Sequence, residues 1–252
     1  MLAIDRVSVR FGGIVALDEA SLTVERGRIC GLIGPNGAGK TTLFNCITRL
    51  CTPDGGTVTY DGCDITAVDP HDVIRLGIAR TFQDLGLFAS MSVRDNVLVG
   101  AHHRTRVSFA SAPLRLSAVR AEEAGVTDEV DDLLVRLGLA EVADRRVRDL
   151  PLGTLKRVEL GRALASRPDL LLLDEPANGL NHGEVAELEQ LIRRTRTEHD
   201  LTMLVVEHHM AFVMSISDTV VCLNFGRDIA TGTPDEVRND PDVVAAYLGP
   251  DA

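Results

Sequence analysis

The stretch Gly34-Pro35-Asn36-Gly37-Ala38-Gly39-Lys40-Thr41 decides the fold of this chain. It matches G-x-x-x-x-G-K-[ST], the pattern of a phosphate-binding loop, and it stands between a strand predicted at 28–33 and a helix predicted at 41–50. In that setting backbone N–H groups and the helix dipole converge on an anion. A chance glycine-rich turn is the alternative interpretation, and the flanking strand and helix disfavour it.

The residue types in the loop suit a nucleoside triphosphate. Lys40 supplies a positive charge to the β- and γ-phosphates, and the Thr41 hydroxyl is suited to Mg²⁺. We therefore expect a nucleotide and Mg²⁺ as cofactors. The predicted nucleotide-binding residues of the loop are Gly34, Pro35, Asn36, Gly37, Ala38, Gly39, Lys40, Thr41 and Thr42.

Two adjacent acids, Asp174 and Glu175, follow an apolar run at 170–173. Neighbouring carboxylates at the end of a buried strand are costly without a cation. We expect Asp174 to hold Mg²⁺, largely through water, and Glu175 to orient or deprotonate the attacking water. An acid pair that caps the next helix is the alternative, and the phosphate-binding loop makes it the weaker one.

Composition and charge exclude several classes of protein. The chain has 252 residues, of which 45% are hydrophobic, as is typical of a globular protein. Its net charge of −11 argues against general nucleic-acid binding. No apolar run approaches the ~20 residues that span a bilayer, and the first residues lack a signal peptide. We therefore expect a cytoplasmic protein. The five cysteines are scattered without a C-x-x-C pair, which indicates reduced thiols.

The pattern of apolar residues predicts an α/β fold with three parts. Alternation over the first 25 residues and at 57–60 predicts an N-terminal antiparallel β subdomain. Apolar runs at 170–173, 202–206 and 220–223 alternate with amphipathic helices, which predicts a mostly parallel sheet covered on both faces.

Helical periodicity replaces the strand pattern after residue 84. Val130, Leu133, Leu134 and Leu137 follow the i, i+3, i+4, i+7 rule of one helix face. We therefore predict an inserted α-helical subdomain at 84–157. The nucleotide-binding core, with its β subdomain, then comprises 1–83 and 158–252, and a helix is predicted near 158–165.

Five further features resemble, in order and spacing, the ATPase subunit of ATP-binding cassette (ABC) transporters along essentially the whole chain. They are Phe11, Gln83 in Arg80-Thr81-Phe82-Gln83, Leu150-Pro151-Leu152-Gly153-Thr154 at the signature loop, Asn178-Gly179-Leu180-Asn181 after the acid pair, and His208. The resemblance implies a P-loop NTPase core, ATP as the nucleotide, and a second ATPase subunit with transmembrane permease subunits as partners.

The resemblance also implies roles for three of these residues. Phe11 stacks on adenine, and His208 is the switch histidine of the catalytic site. Gln83 acts in catalysis and at the metal, and it links the nucleotide site to the helical subdomain and the membrane partner. Each residue has an ordinary alternative: Phe11 as a core or strand-edge aromatic, Gln83 as a surface amide, and His208 as a capping or solvated side chain.

The signature loop departs from the family pattern Leu-Ser-Gly-Gly-Gln, because only Leu150 and Gly153 match it. Pro151 brings neither the serine hydroxyl nor a backbone N–H. In this family the signature loop of one subunit closes over the nucleotide of the other. We therefore expect that the chain's own nucleotide site is complete but that its signature loop is a poor lid over the partner's nucleotide. This favours a heterodimer over a homodimer. Asn181, where many relatives have aspartate, also alters the contact between subunits.

Within the family, Val206-Glu207-His208-His209-Met210 and the ending Ala246-Tyr247-Leu248-Gly249 resemble the ATPase of branched-chain amino acid importers. We therefore expect an ATPase on the inner face of the cell membrane, bound to permease subunits. The alternatives are a urea- or amide-type importer, a soluble ABC-type ATPase acting on DNA or ribosomes, and a regulatory module without turnover. The arginine-rich segment 102–120 is either a solvated loop or a contact with the membrane subunit or anionic headgroups.

Overall fold

The computed structural model describes residues 1–82, 85–104 and 116–248, with side chains given outside 116–123. Gln83 and most of the segment 102–120 therefore lie outside the described residues. The chain divides into two compact units. One comprises Met1–Arg80 with the chain from Asp169 onward, and the other is Thr81–Pro168.

The strands, in chain order, are β1 (Leu2–Phe11), β2 (Ile14–Val24), β3 (Ile29–Ile33), β4 (Gly55–Tyr60), β5 (Cys63–Asp64), β6 (Ile78–Arg80), β7 (Leu170–Asp174), β8 (Thr202–Val206), β9 (Thr219–Asn224) and β10 (Arg227–Gly232). The helices are α1 (Lys40–Ile47), α2 (Val93–Ala101), α3 (Leu116–Arg136), α4 (Leu152–Leu164), α5 (His182–His199), α6 (Met210–Ile216), α7 (Pro234–Arg238) and α8 (Pro241–Leu248). A 3₁₀ segment at Pro70–Leu76 precedes β6.

The smaller sheet of the first unit is antiparallel in the order β2-β1-β4-β5. Leu2 and Ile4, and then Val7 and Val9, are buried, because alternation resumes after a register shift between Ile4 and Val7. The hairpin between β1 and β2 ends at the pair Phe11 and Ile14.

The larger sheet of the first unit has the order β10-β9-β3-β8-β7-β6. Strands β9, β3, β8, β7 and β6 are parallel, and β10 is an antiparallel edge strand. Strands β3, β7 and β8 are buried along their whole length, as continuous apolar runs predict. Because these strands are parallel, the segments that follow β3, β7 and β8 meet at one edge of the sheet.

Three helices form most of the second unit. Helix α3 buries Val130, Leu133 and Leu134 on the face that the periodicity predicted, and Leu137, directly after the last residue of the helix, is buried as well. Helices α2 and α4 pack so closely that a Cβ added to Gly100 would overlap the carbonyl of Arg162. No helix in the described part of the chain is long and apolar enough to cross a membrane.

Helix α4 differs from the sequence prediction. It begins at Leu152 rather than near 158, with Pro151 as its N-cap residue in an extended conformation. Proline is compatible with a helix start because its missing N–H is not needed there. Helix α4 packs on α2, and the second compact unit, which contains both helices, extends to Pro168.

Candidate nucleotide-binding and hydrolysis site

The phosphate-binding loop joins β3 to α1, as its motif predicts. Gly34, Gly37 and Gly39 have φ angles of 148°, 81° and 104°, which favour glycine. A Cβ at Gly34 would overlap the carbonyl of Leu223, and one at Gly39 would lie 2.5 Å from the carbonyl oxygen of Ala16. Backbone conformation therefore favours glycine at all three positions, and lack of space for a Cβ also requires it at Gly34 and Gly39.

Lys40 begins α1 and bends back over the loop. Its Nζ donates to the carbonyl oxygens of Gly34 at 2.6 Å and of Pro35 at 3.0 Å. Burial lowers the pKa of Lys40, and the charges of Glu175 and Asp174 partly oppose that effect. The ammonium group of Lys40 is thus held against the loop, where its N–H groups can donate hydrogen bonds to phosphate oxygens.

Two contacts from distant parts of the chain hold the loop, and sequence reasoning gave a role to neither. The N–H of Gly34 donates to Tyr247 Oη at 2.8 Å, and the N–H of Gly226 donates to the carbonyl of Ala38 at 3.0 Å. Burial raises the pKa of Tyr247 to about 12, so its hydroxyl keeps its proton. Tyr247 stood out in the sequence only through the resemblance of the C-terminal stretch.

Asp174 ends β7 and is buried, and the structure pairs it with an arginine. Nη2 of Arg80 lies 2.7 Å from Oδ2 of Asp174. Sequence reasoning expected the acid pair to need a cation but did not identify Arg80 as one. The signal was present, because Arg80 ends a short apolar strand that precedes Gln83.

Glu175 and His208 meet at the carboxyl edge of the parallel sheet. His208 Nδ1 lies 3.8 Å from Glu175 Oε1, which is longer than a hydrogen bond. Glu175 has a φ angle of 47°, and its N–H donates to the carbonyl of Val206 at 2.9 Å. Asn178 Nδ2 donates to Glu175 Oε2 at 3.4 Å. The structure therefore brings together the predicted acid and the predicted histidine.

The donor set near the loop fits a magnesium ion. Thr41 is exposed on the first turn of α1, and Asp174 lies near enough to Lys40 to affect its pKa. Hydroxyl and carboxylate oxygens are the ligands that Mg²⁺ prefers. Gln83, the third predicted metal ligand, is outside the described residues.

Phe11 lies at the tip of the β1–β2 hairpin, and 56% of its surface is exposed. The same hairpin borders the phosphate-binding loop through Ala16, whose carbonyl faces Gly39. The ring of Phe11 is thus exposed on a hairpin that borders the loop, and an exposed aromatic ring is available to stack on a base. Its exposure disfavours the core alternative for Phe11.

The two remaining predicted loops begin helices. Asn181 is the N-cap of α5 and accepts hydrogen bonds from the N–H groups of Gly183 at 3.0 Å and Glu184 at 3.1 Å. Asparagine at this position therefore has a capping role within the chain. Pro151 precedes α4 without a side-chain cap, where the family's serine supplies a hydroxyl.

A phosphate-binding loop, an acid pair and a histidine along one edge of a parallel sheet define a P-loop nucleotide-binding cassette. The family model for the ABC transporter matches residues 17–178, and the chain belongs to the ABC transporter family. ATP-binding proteins of this family are ATPases coupled to transport, and so is this chain.

Relatives cover nearly the whole chain. The high-affinity branched-chain amino acid transport ATP-binding protein LivG of Salmonella typhimurium is 42% identical over 249 residues, which are 99% of this chain and 98% of that protein. BraF of Pseudomonas aeruginosa, of the same description, is 41% identical with the same coverage. A second family model, the branched-chain amino acid ATP-binding cassette transporter, matches residues 229–249.

Solved structures agree with the fold. The ADP conformation of MJ1267, an ATP-binding cassette of an ABC transporter, has a TM-score of 0.85 and 31% identity, over 99% of this chain and 98% of that one. A nucleotide-free cassette from an ABC transporter has a TM-score of 0.84, also at 31% identity, over 99% of both chains. The α/β P-loop fold predicted from the sequence is confirmed.

Proposed function

We propose that this chain hydrolyses ATP to drive the uptake of branched-chain amino acids by an ABC importer. Similarity to LivG and BraF over 99% of the chain carries this proposal. The match at 229–249 supports it, because that segment is described for the same class of transporter. In this function the ATPase supplies energy, and other subunits bind the solute.

The loop from Gly34 to Thr42 binds the triphosphate in this proposal. Its backbone N–H groups and the start of α1 face the phosphates, and Lys40 moves its donors from the carbonyls of Gly34 and Pro35 to phosphate oxygens. Phe11 stacks on adenine. Thr41, Asp174 and Gln83 hold Mg²⁺, which neutralises charge on the phosphates when it is bound.

Glu175 accepts a proton from the water that attacks the γ-phosphate. His208, the switch histidine in this proposal, contacts the γ-phosphate beside Glu175, whose Oε1 lies 3.8 Å from its Nδ1. In this proposal Gln83 links the nucleotide site to the helical subdomain predicted at 84–157 and to the permease.

ATPases of ABC importers dimerise and work with permease subunits. We infer a heterodimer for this chain, because Pro151 and Leu152 depart from the signature pattern. The chain then lies on the inner face of the cell membrane, held there by permease subunits. No nucleic acid takes part, in line with the net charge of −11.

Reconstitution tests this function. The chain is assembled with candidate permease and partner ATPase subunits in vesicles, and uptake of radiolabelled leucine and urea is measured with ATP on the cassette side. ATP-dependent leucine uptake that disappears in Glu175→Gln is the expected result. Uptake of urea alone assigns the urea-type alternative, and hydrolysis that ignores the permease favours a soluble ATPase.

A further inference from the structure

Glu207 is the first residue after β8, and its side chain is fully buried, with 0% of its surface exposed. One carboxylate oxygen, Oε1, accepts a hydrogen bond from the N–H of Ala177 at 2.7 Å. The other, Oε2, accepts from the N–H groups of His208 at 3.0 Å and His209 at 3.2 Å. One side chain therefore holds two separate segments of the backbone.

These two segments carry the proposed catalytic side chains. Ala177 is two residues beyond Glu175, and His208 is itself bonded to Glu207 through its N–H. The main chain also joins the segments, because the N–H of Glu175 donates to the carbonyl of Val206 at 2.9 Å. The Glu207 carboxylate therefore adds a second tie close to the point where Glu175 and His208 approach each other.

A carboxylate is the group that this arrangement requires. Both of its oxygens accept hydrogen bonds, whereas an amide offers one acceptor and turns its NH₂ toward the other N–H groups. Hydrogen bonds from backbone N–H groups to a carboxylate are stronger than neutral ones, and they offset the cost of burying the group. An apolar side chain of the same size would leave three N–H groups without this acceptor.

We propose that Glu207 is a positioning residue that fixes the distance between Glu175 and His208, so that segment 175–178 after β7 and segment 207–209 after β8 move as one body. The proposal rests on the catalytic roles proposed for Glu175 and His208. Glu207 touches neither the nucleotide nor the reacting water in this account. Its effect passes through the backbone of Ala177 and His208 and through the His208 ring, whose Nδ1 lies 3.7 Å from Glu207 Oε2.

Amide hydrogen exchange of the full-length chain, followed residue by residue by NMR, tests the tie directly. In Glu207→Gln we expect exchange to become about tenfold faster at both Ala177 and His208, because local opening of either segment now frees the other. Acceleration at only one of the two amides, or at neither, would overturn the proposal.

Kinetics separate positioning from general loss of structure. We expect Glu207→Gln to lower kcat about 100-fold through misplaced catalytic groups, while the KM for ATP changes less than about twofold. Asp218→Asn is the matched control, since Asp218 Oδ2 accepts from the N–H of Ile29 at 2.8 Å at the opposite end of the same sheet. It should alter neither kcat nor the two amides. An unchanged kcat in Glu207→Gln, or an equal loss in the control, contradicts the proposal.

Two further variants, Glu207→Asp and Glu175→Gln, complete the test. If Glu207→Gln does not fold, Glu207→Asp replaces it, because the shorter carboxylate cannot span both segments and should speed exchange at both. Glu175→Gln should stop hydrolysis without changing exchange at Ala177 or His208. Normal hydrolysis by Glu175→Gln refutes the proposed catalytic role, whereas the exchange data on the Glu207 variants still decide whether the tie exists.

Discussion

Arg80 and Asp174 form a buried ion pair, with 2.7 Å between Nη2 of the arginine and Oδ2 of the aspartate. The arginine side chain is 8% exposed and the aspartate side chain 4%. Nη1 of Arg80 also donates to Asn45 Oδ1 at 2.7 Å, and its guanidinium lies 5.4 Å from the centre of the Phe44 ring. The acid predicted to bind a metal thus already has a cation from its own chain, and α1 supports that cation.

Loss of Arg80 should destabilise the first unit strongly. Replacement of one partner of a buried pair leaves the other charge uncompensated, so we expect Arg80→Met to lower the free energy of unfolding by about 3–5 kcal/mol. Urea denaturation without nucleotide measures this loss. Adding Asp174→Asn to the same variant should restore part of the stability, because the buried charge is then removed.

Arg26→Met is the control for that measurement. Arg26 pairs with Asp61 at the same 2.7 Å, but the two side chains are 56% and 43% exposed. Surface pairs contribute little because water and salt screen them. If Arg26→Met lowered the free energy of unfolding as much as Arg80→Met, burial would not explain the effect of losing Arg80.

Sequence patterns predicted the elements that one stretch of chain specifies by itself. The glycines of the phosphate-binding loop, the apolar strand before Asp174 and the face of α3 are of this kind. Arg80, Glu207 and Tyr247 were not assigned roles, because their partners come from other parts of the chain. Tyr247, for example, meets Gly34 across 213 positions of sequence. Such contacts depend on the order of strands in the sheet, which no local pattern contains.

The start of α4 illustrates a different limit. The sequence shows Pro151 as a departure from a signature pattern, and the helix was predicted only from the later apolar residues. The structure begins the helix at Leu152, directly after the proline. Proline removes an N–H that a helix start does not use, so the same residue that alters the family's loop is compatible with helix initiation.

Glu175→Gln should separate binding of ATP from its hydrolysis. The amide keeps the size of the side chain but accepts no proton from water, so we expect kcat to fall by about 10²- to 10⁴-fold with little change in ATP affinity. The bound triphosphate then persists and favours a dimer, which light scattering with and without ATP detects. Lys40→Ala is the contrasting variant, since it should weaken nucleotide binding itself. Hydrolysis at the normal rate in Glu175→Gln would remove Glu175 from the proposed role.

Tyr247 should make stability depend on pH in the alkaline range. Burial raises its pKa from 10.0 to about 12, so between these values the unfolded chain has lost a proton that the folded chain retains. The contribution of this group to stability is therefore complete below pH 10 and is lost as pH rises toward 12.

Absorbance of tyrosinate measures this titration, because the chain has only two tyrosines. The other, Tyr60, also has its pKa raised by burial, so Tyr60→Phe isolates the signal of Tyr247. In that variant we expect the absorbance to rise near pH 12, and Tyr247→Phe should remove the alkaline loss of stability due to this group. Titration near pH 10 in the folded chain would contradict the burial of the hydroxyl beside Gly34.

Two glycines in helices of the second unit should respond oppositely to alanine. At Gly100 the new Cβ overlaps the Arg162 carbonyl, so we expect Gly100→Ala to cost about 1–3 kcal/mol of stability by forcing α2 and α4 apart. At Gly125 of α3 no atom of the described residues lies within 4 Å of the new Cβ. There alanine should stabilise the chain by about 0.5–1 kcal/mol, because it restricts the unfolded state. The thermal unfolding temperatures of both variants measure these changes. If both alanines changed the stability equally, the close packing of α2 on α4 would be disproved.

Restoring the signature residues tests whether Pro151 limits self-assembly. The variant Pro151→Ser with Leu152→Gly and Thr154→Gln regains the Leu-Ser-Gly-Gly-Gln pattern, including a hydroxyl that can cap α4. If the native loop is a poor lid, the purified native chain hydrolyses ATP slowly alone, and the variant forms an ATP-dependent homodimer with faster hydrolysis. Adding Glu175→Gln to the variant should stop that gain, which ties it to this site. A native chain that is already fully active as a homodimer would rule out the heterodimer proposal, because the departures at Pro151 and Leu152 would then leave the lid intact.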